Sequence, residues 1–127
     1  MPTKRRVFGD LGEKIAQKFL EEKGYQIIDN NYSKRWGEID LIAKSPDDFL
    51  IFIEVKTREM RHVPSSFLPE DSVNFCKQQK IIKTAKTFLY ENKYPEDTFW
   101  QIDVIAIEIN TELRRAKIRH LKNAVEM

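Results

Sequence analysis

The sequence has 127 residues, 41% hydrophobic and 33% charged, which predicts one globular domain over residues 1–127 with a well-solvated surface. No apolar run approaches the ~18 residues of a membrane span, and no secretory segment follows the N-terminus, so we expect a cytoplasmic protein with no membrane partner. With a single cysteine, Cys76, the chain cannot form an internal disulfide. We expect the thiol of Cys76 to pack against other residues and not to act as a nucleophile.

The first predicted element is a helix from Phe8 to Lys23, where apolar residues recur at steps of three and four. Gly24 is placed to end it. Gly9 and Gly12 leave room for another backbone to approach closely. Glu13 lies off the apolar stripe, and it either complements the helix dipole or serves a function.

A short strand, Tyr25–Ile28, is expected next, closed by residues 29–31, which favour turns. The stretch from Trp36 to Arg58 then predicts a hairpin of two apolar strands around the turn Ser45-Pro46-Asp47-Asp48. Its second strand, Phe49–Val55, is almost continuously apolar, as in a strand covered on both faces.

Four further elements complete the chain. Residues Thr57–Pro69 lack periodicity and predict a loop, and Glu70–Asn92 predicts a second helix. Phe99–Ile109 predicts a strand, and Arg114–Leu121 an edge strand protected by its charges. Helices alternating with strands, without repeats or linkers, indicate an α/β fold.

Acidic residues interrupt both strands of the hairpin. Asp40 lies in the first strand, and Glu54 and Lys56 lie two residues apart in the second, so they share a face of the sheet. Buried carboxylates are costly unless a cation or hydrogen bonds compensate them. Mg²⁺ or Mn²⁺ fits carboxylate oxygens, the backbone carbonyl of Val55 offers a further ligand, and Lys56 is placed to assist an attacking water. These parts describe phosphodiester hydrolysis.

Asp40, then thirteen intervening residues, then Glu54-Val55-Lys56 is the arrangement of the PD-(D/E)XK nuclease superfamily. Together with other positions, it makes nearly the whole chain resemble the YraN-like uncharacterised protein family, which is similar to archaeal Holliday-junction resolvases. The residues that carry this resemblance are Gly9, Gly12, Glu13, Ala16, Gly24, Tyr25, Asn31, Gly37–Ala43, Glu54–Lys56, Lys77, Lys80 and Ile102–Val104.

The resemblance implies a restriction-endonuclease-like three-layer fold, with a central mixed β-sheet flanked by helices. It also implies Glu13 as an additional acid near the metal. Two positions depart from the family pattern: Gln101 stands where an arginine is usual, and the glycine expected in the loop after Arg58 is absent.

Several other residues have a structural and a functional reading. Lys77, Lys80 and Arg58 form a predicted phosphate-contacting set, although helix lysines are most often a solvated face. Glu38 either joins the site or pairs with Arg35 or Lys34. The remaining residues are expected to be structural: Asp103 as a brace, His62 and His120 as exposed loop or edge histidines, and Trp36, Phe67 and Trp100 as core or rim aromatics.

Two functional classes therefore stay open. The first is a metal-dependent endonuclease acting on DNA, including branched DNA, and forming a homodimer by analogy with resolvases. The second is a nucleic-acid-binding protein that keeps a nuclease-like fold without turnover, because fold does not fix function.

Overall fold

The computed structural model describes residues 3–60 and 74–125. Two helices and five strands make up this part of the chain. They are α1 (Lys4–Glu22), β1 (Gln26–Lys34), β2 (Gly37–Lys44), β3 (Leu50–Glu59), α2 (Phe75–Glu91), β4 (Trp100–Asn110) and β5 (Arg115–Leu121). Neither described helix is long and apolar enough to cross a membrane.

The strands form one mixed sheet in the order β1-β2-β3-β4-β5. Neighbouring strands are antiparallel except β3 and β4, which run parallel from Leu50 opposite Trp100 to Glu59 opposite Ile109. A parallel pair needs a long crossover connection, and α2 lies within this one. The predicted α/β class is confirmed.

The helices cover opposite faces of the sheet. Phe52 packs in one apolar cluster with Ile81 and Phe88 of α2, whereas Ile53 packs in a second with Ala16 and Leu20 of α1. Successive residues of a strand point to opposite faces, so the apolar run of β3 supplies both clusters. The result is three layers, with the sheet in the middle.

Side-chain caps fix where each helix begins. The Thr3 hydroxyl accepts a hydrogen bond from the Arg6 amide at 3.2 Å, and the Asn74 side chain accepts one from the Lys77 amide at 2.9 Å. These bonds satisfy amides that have no partner within the helix. Gly24, at φ +90°, follows the end of α1 as predicted, because glycine adopts this conformation without strain.

Two strands are longer than predicted. β1 continues to Lys34 because the expected turn residues lie inside an edge strand, with a register shift between Ile27 and Asp29 and Asn31 at φ +51°. β3 continues to Glu59, since its pairing with β4 extends beyond the hairpin. The hairpin itself and the edge strand β5 are confirmed.

Cys76 is exposed rather than packed, because it lies in the first turn of α2 on the side away from the sheet. That prediction was wrong. The larger part of the predicted loop, with His62 and Phe67, and the predicted start of the second helix at Glu70 lie outside the described residues.

Candidate functional site

The site lies where β2 and β3 stop pairing. Their register runs from Lys44 opposite Leu50 to Leu41 opposite Ile53, and Asp40 and Glu54 are the next residue on each strand. Here Oδ2 of Asp40 accepts a hydrogen bond from the Val55 amide at 2.8 Å. The side chain of Asp40 thus bonds to a backbone amide of β3, which holds the carboxylate at the point where the two strands separate.

Asp40 is a buried acid with acidic neighbours. Its residue surface is 8% exposed. Burial raises its pKa to about 8, helped by the charges of Glu54, Glu13 and Glu38 and opposed by the hydrogen bond from Val55. In the absence of a cation the site therefore holds a proton at neutral pH. A positive ion that neutralised these carboxylates would release it.

Glu54 faces two lysines. Its Oε1 lies 2.7 Å from Nζ of Lys77 and 3.3 Å from Nζ of Lys56, while its side chain is only 7% exposed. Phe52 faces α2, so Glu54 and Lys56, two and four residues on, face the same way. Lys77 comes from the first turn of α2 and meets Glu54 on this face.

The two lysines differ electrostatically. Burial and the hydrogen bond with Lys77 lower the pKa of Lys56, and the charge of Glu54 only partly opposes this. Burial also acts to lower the pKa of Lys77, but its hydrogen bonds to Glu54 and Lys56 outweigh burial and raise it. Lys56 is therefore the lysine that loses its proton more readily, and Lys77 the more firmly charged cation.

Glu13 reaches the site from α1. Its side chain hydrogen-bonds to Asn31 and Asp40, and burial, together with the charges of Asp10 and Glu38, raises its pKa. The helix comes close enough because residue 12 is glycine: a Cβ there would lie 1.9 Å from Oγ1 of Thr57. A close approach at Gly12 is confirmed, although the neighbour is the side chain of Thr57 and not a backbone. The approach predicted at Gly9 was wrong, since a Cβ added there has nothing within 4 Å.

The structure therefore brings Asp40, Glu54, Lys56 and Glu13 together, with Lys77 beside them. Arg58 lies two residues beyond Lys56 on β3 and is half-buried, and Lys80 is exposed one turn beyond Lys77. Arg58 shares the face of β3 that carries Glu54 and Lys56, and Lys80 lies on the same helix as Lys77.

Glu38 lies near the site as well. Its charge raises the pKa of Asp40 and that of Glu13. Its side chain accepts a hydrogen bond from Ser33 at 3.3 Å, while Lys34, one of the two partners expected for it, instead lies 2.8 Å from Glu91.

Asp103 forms a second buried acidic centre, on β4. Its carboxylate accepts hydrogen bonds from Gln101 at 2.9 Å and the Asn123 amide at 2.8 Å, and lies 2.7 Å from Nε2 of His120. The structural role expected for Asp103 matches this geometry. His120 is not an exposed edge histidine: its side chain is 8% exposed, since it turns from β5 towards Asp103 and packs beside Phe19.

The oxygen atoms of Asp40 and Glu54 are of the kind that hard divalent cations take as ligands. Among residues 3–60 and 74–125, no three His, Cys, Asp or Glu side chains converge closely enough to hold a metal. Asp40 and Glu54 supply two carboxylates, and the carbonyl of Val55 lies between Glu54 and Lys56 in the chain. Mg²⁺ is commonly held by one or two carboxylates, with water and substrate phosphate completing its shell. The raised pKa of Asp40 is what such a site predicts before a cation binds.

Three contacts of the site were not predicted from the sequence. They are the ion pair of Lys77 with Glu54, the hydrogen bond of Asn31 with Glu13, and the packing of Thr57 on Gly12. Asn31 and Gly12 carried a signal, since an asparagine in a bulged strand and a glycine within a helix both need a local reason. The resemblance singled out Lys77 with Lys80 as a phosphate contact, but no signal indicated that Lys77 pairs with Glu54.

A sequence model of the uncharacterised protein family UPF0102 matches residues 12–107, which include Asp40, Glu54 and Lys56. The chain belongs to this family. Relatives named as UPF0102 proteins agree: one from Desulforamulus reducens is 36% identical, over 98% of this chain and 100% of its own. Another, from Chloroflexus aurantiacus, is 39% identical over 84% and 83%.

Among solved structures, this UPF0102 chain is similar to Pyrococcus furiosus SfsA in complex with Ca²⁺, with a TM-score of 0.42 and 16% identity. The match covers 97% of this chain and 65% of that one.

Proposed function

We propose that this protein is a metal-dependent endonuclease that hydrolyses phosphodiester bonds in DNA, on a restriction-endonuclease-like fold. The observation that carries the proposal is Asp40, a buried carboxylate whose pKa is raised to about 8 beside Glu54 and Glu13. Such a group of buried acids destabilises the fold unless a bound ligand compensates their charge. A divalent cation is the ligand that relieves it.

In the proposed site, Asp40, Glu54 and the carbonyl of Val55 hold Mg²⁺ or Mn²⁺. When bound there, the ion would supply Lewis-acid chemistry for the phosphodiester. Lys56 orients the attacking water and accepts its proton as a neutral amine, the form that its lowered pKa favours. Glu13 positions Asp40 through their hydrogen bond.

Phosphate contacts are proposed for the basic residues around this centre. Lys80 and Arg58 lie on α2 and β3, the two elements that also carry Lys77 and Glu54, so a backbone bound at the site passes within their reach. Contacts of this kind bind nucleic acid without reading its sequence. Branched DNA such as a Holliday junction is the proposed substrate, and a homodimer would cut its two strands.

A second candidate is a nucleic-acid-binding protein without turnover. Two observations favour it: Glu54 is already paired with two lysines, and Gln101, where the resemblance implies an arginine, hydrogen-bonds Asp103. Under this alternative the lysines are permanent partners of Glu54, and DNA binds whether or not a metal is present.

Cleavage assays on labelled four-way junctions and on linear duplex of the same sequence, with Mg²⁺, Mn²⁺ or EDTA, separate the two candidates. We expect cleavage with either metal, at least ~10²-fold weaker in Asp40→Asn and in Lys56→Ala. Lys86→Ala, an exposed lysine at the far end of α2, is the matched control and should cut normally.

Binding that persists in EDTA, without cleavage of either DNA, would establish the second candidate. Neither binding nor cleavage would reject both. Far-ultraviolet circular dichroism of each variant shows whether a loss of activity reflects chemistry or unfolding.

A further inference from the structure

Glu54 uses one oxygen for two cations. Oε1 lies 2.7 Å from Nζ of Lys77 and 3.3 Å from Nζ of Lys56. The shorter contact belongs to the lysine from the helix, not to the strand lysine of the sequence motif. A divalent ion bound to Glu54 would therefore meet an ammonium group already seated on the carboxylate.

We propose that Lys77 is a displaceable counter-cation of Glu54, which occupies the carboxylate when no metal is bound and leaves it when a divalent cation enters. This inference rests on the proposed function, since it takes Glu54 as a metal ligand. It makes Lys77 a positioning residue that sets metal affinity.

Geometry indicates which of the two lysines moves. Lys56 extends from the middle of the sheet, between β2 and β4, and its side chain is 18% exposed. Lys77 lies in the first turn of α2, and its side chain is 39% exposed. Because the Lys77 amide is fixed by the Asn74 cap, the backbone stays in place while the side chain rotates into solvent.

Charge gives the reason for movement. A divalent ion and an ammonium at the same carboxylate repel each other strongly in a site this buried. Glu54 needs a cation in either state, because an unpaired buried carboxylate is costly. The exchange of Lys77 for a metal keeps Glu54 compensated throughout.

The released ammonium of Lys77 can contact phosphate next to the site. Lys77 and Lys80 lie one turn apart on α2, so a freed Lys77 joins Lys80 on a face next to the site. Metal binding then adds one cation to the surface that contacts phosphate. Metal and nucleic acid are coupled through this one side chain, and each strengthens the binding of the other.

The test is Mn²⁺ binding to the DNA-free protein, measured by isothermal titration calorimetry. Lys77→Met should bind Mn²⁺ about tenfold more tightly than the wild-type chain, because no ammonium has to be displaced. Lys80→Met removes the same charge one turn away and should change the affinity less than about twofold. Lys77→Arg keeps a cation on Glu54 and should restore affinity close to wild type.

Equal or weaker Mn²⁺ binding by Lys77→Met, with wild-type binding intact, overturns the inference and leaves the proposed function standing. An equal gain in Lys80→Met also overturns it, since general charge would then be the cause. If no variant binds Mn²⁺, the proposed metal site itself fails. Lys77→Gln, which keeps a hydrogen-bond donor without the charge, replaces Lys77→Met should that variant not fold, with the same expected gain.

Discussion

Two buried acidic centres lie one strand apart in the sheet. Asp103 on β4 is opposite Ile53 of β3, and Glu54, the next residue of β3, is opposite Val104. Asp103 is fully buried and accepts hydrogen bonds from Gln101 and the Asn123 amide, with His120 beside it. Asp40 is almost as buried, but has the Val55 amide as a donor and three acids around it.

This difference separates a structural carboxylate from the one proposed to hold a cation. Hydrogen bonds from several donors stabilise a buried charge, so Asp103 joins β4 to β5 and to the segment that follows β5. Acidic neighbours destabilise the charge of Asp40, which then depends on a proton or a cation. Removing the first carboxylate should harm the fold, and removing the second should relieve it.

The largest expected loss of stability is that of Asp103→Ala. It removes the one carboxylate that joins Gln101, His120 and the Asn123 amide, and leaves a cavity at a fully buried position, which should cost about 3–5 kcal/mol of the free energy of unfolding. Urea unfolding followed by circular dichroism measures it. A loss below about 1 kcal/mol would mean that Asp103 is not a structural brace.

Asp40→Asn should act in the opposite direction and depend on pH. The pKa of Asp40 is raised in the folded protein, from an ordinary value of 3.8 to about 8, so the folded state holds the proton more tightly than the unfolded state. Stability is therefore lost as pH rises from 3.8 to about 8, by at most about 1.4 kcal/mol per pH unit.

The Asn variant lacks this loss, and its amide can still accept from Val55. Thermal unfolding without divalent cations should show similar stabilities near pH 4 and a growing advantage for the variant towards pH 8. A constant difference across this range would contradict the raised pKa.

A smaller effect is expected where α1 supplies Glu13 to the first centre. In Gly12→Ala, the new methyl group meets Thr57, and the resulting shift of the helix should cost about 1–3 kcal/mol. Gly9→Ala is the matched control, since its Cβ meets nothing, and alanine should stabilise the helix by up to about 1 kcal/mol. Chemical denaturation of both variants shows whether each substitution lowers or raises the free energy of unfolding. If both stabilise, α1 does not need glycine to approach β3.

The smallest effect concerns a contact outside both centres. Nζ of Lys83 lies 4.6 Å from the centroid of the Trp36 ring, and Lys83→Met should cost about 0.5–1 kcal/mol. Lys86→Met, an exposed lysine of the same helix, controls for lost charge. Tryptophan fluorescence during unfolding follows both variants, and equal stabilities would show that the ring contact contributes nothing.

Patterns local in sequence predicted most of the fold. The apolar periodicity of α1, the continuous apolar run of β3 and the turn at Ser45–Asp48 each depend on residues close together in the chain. The length of β1 was not predictable in this way, because Asp29 and Asn31 favour turns in isolation but are accommodated in a bulged edge strand. Tertiary pairing outweighs local preference there.

In the candidate site, too, contacts within one hairpin were predictable and contacts between separate elements were not. Asp40, Glu54 and Lys56 belong to one hairpin, so spacing alone brought them together. The contacts of Lys77 with Glu54 and of His120 with Asp103 join residues from different elements, and only the packing of α2 and the register of β5 place them. The second contact is the reason that His120 was misread as an exposed histidine.

The hydrogen bond from the Val55 amide to the Asp40 carboxylate also has a spectroscopic consequence. The bond joins the backbone of one strand to the ionisable group of its neighbour. The nitrogen and proton resonances of this single amide therefore report the charge on the carboxylate, without any label in the site itself. Each proton or cation that the site gains or loses changes a signal from the backbone of the sheet.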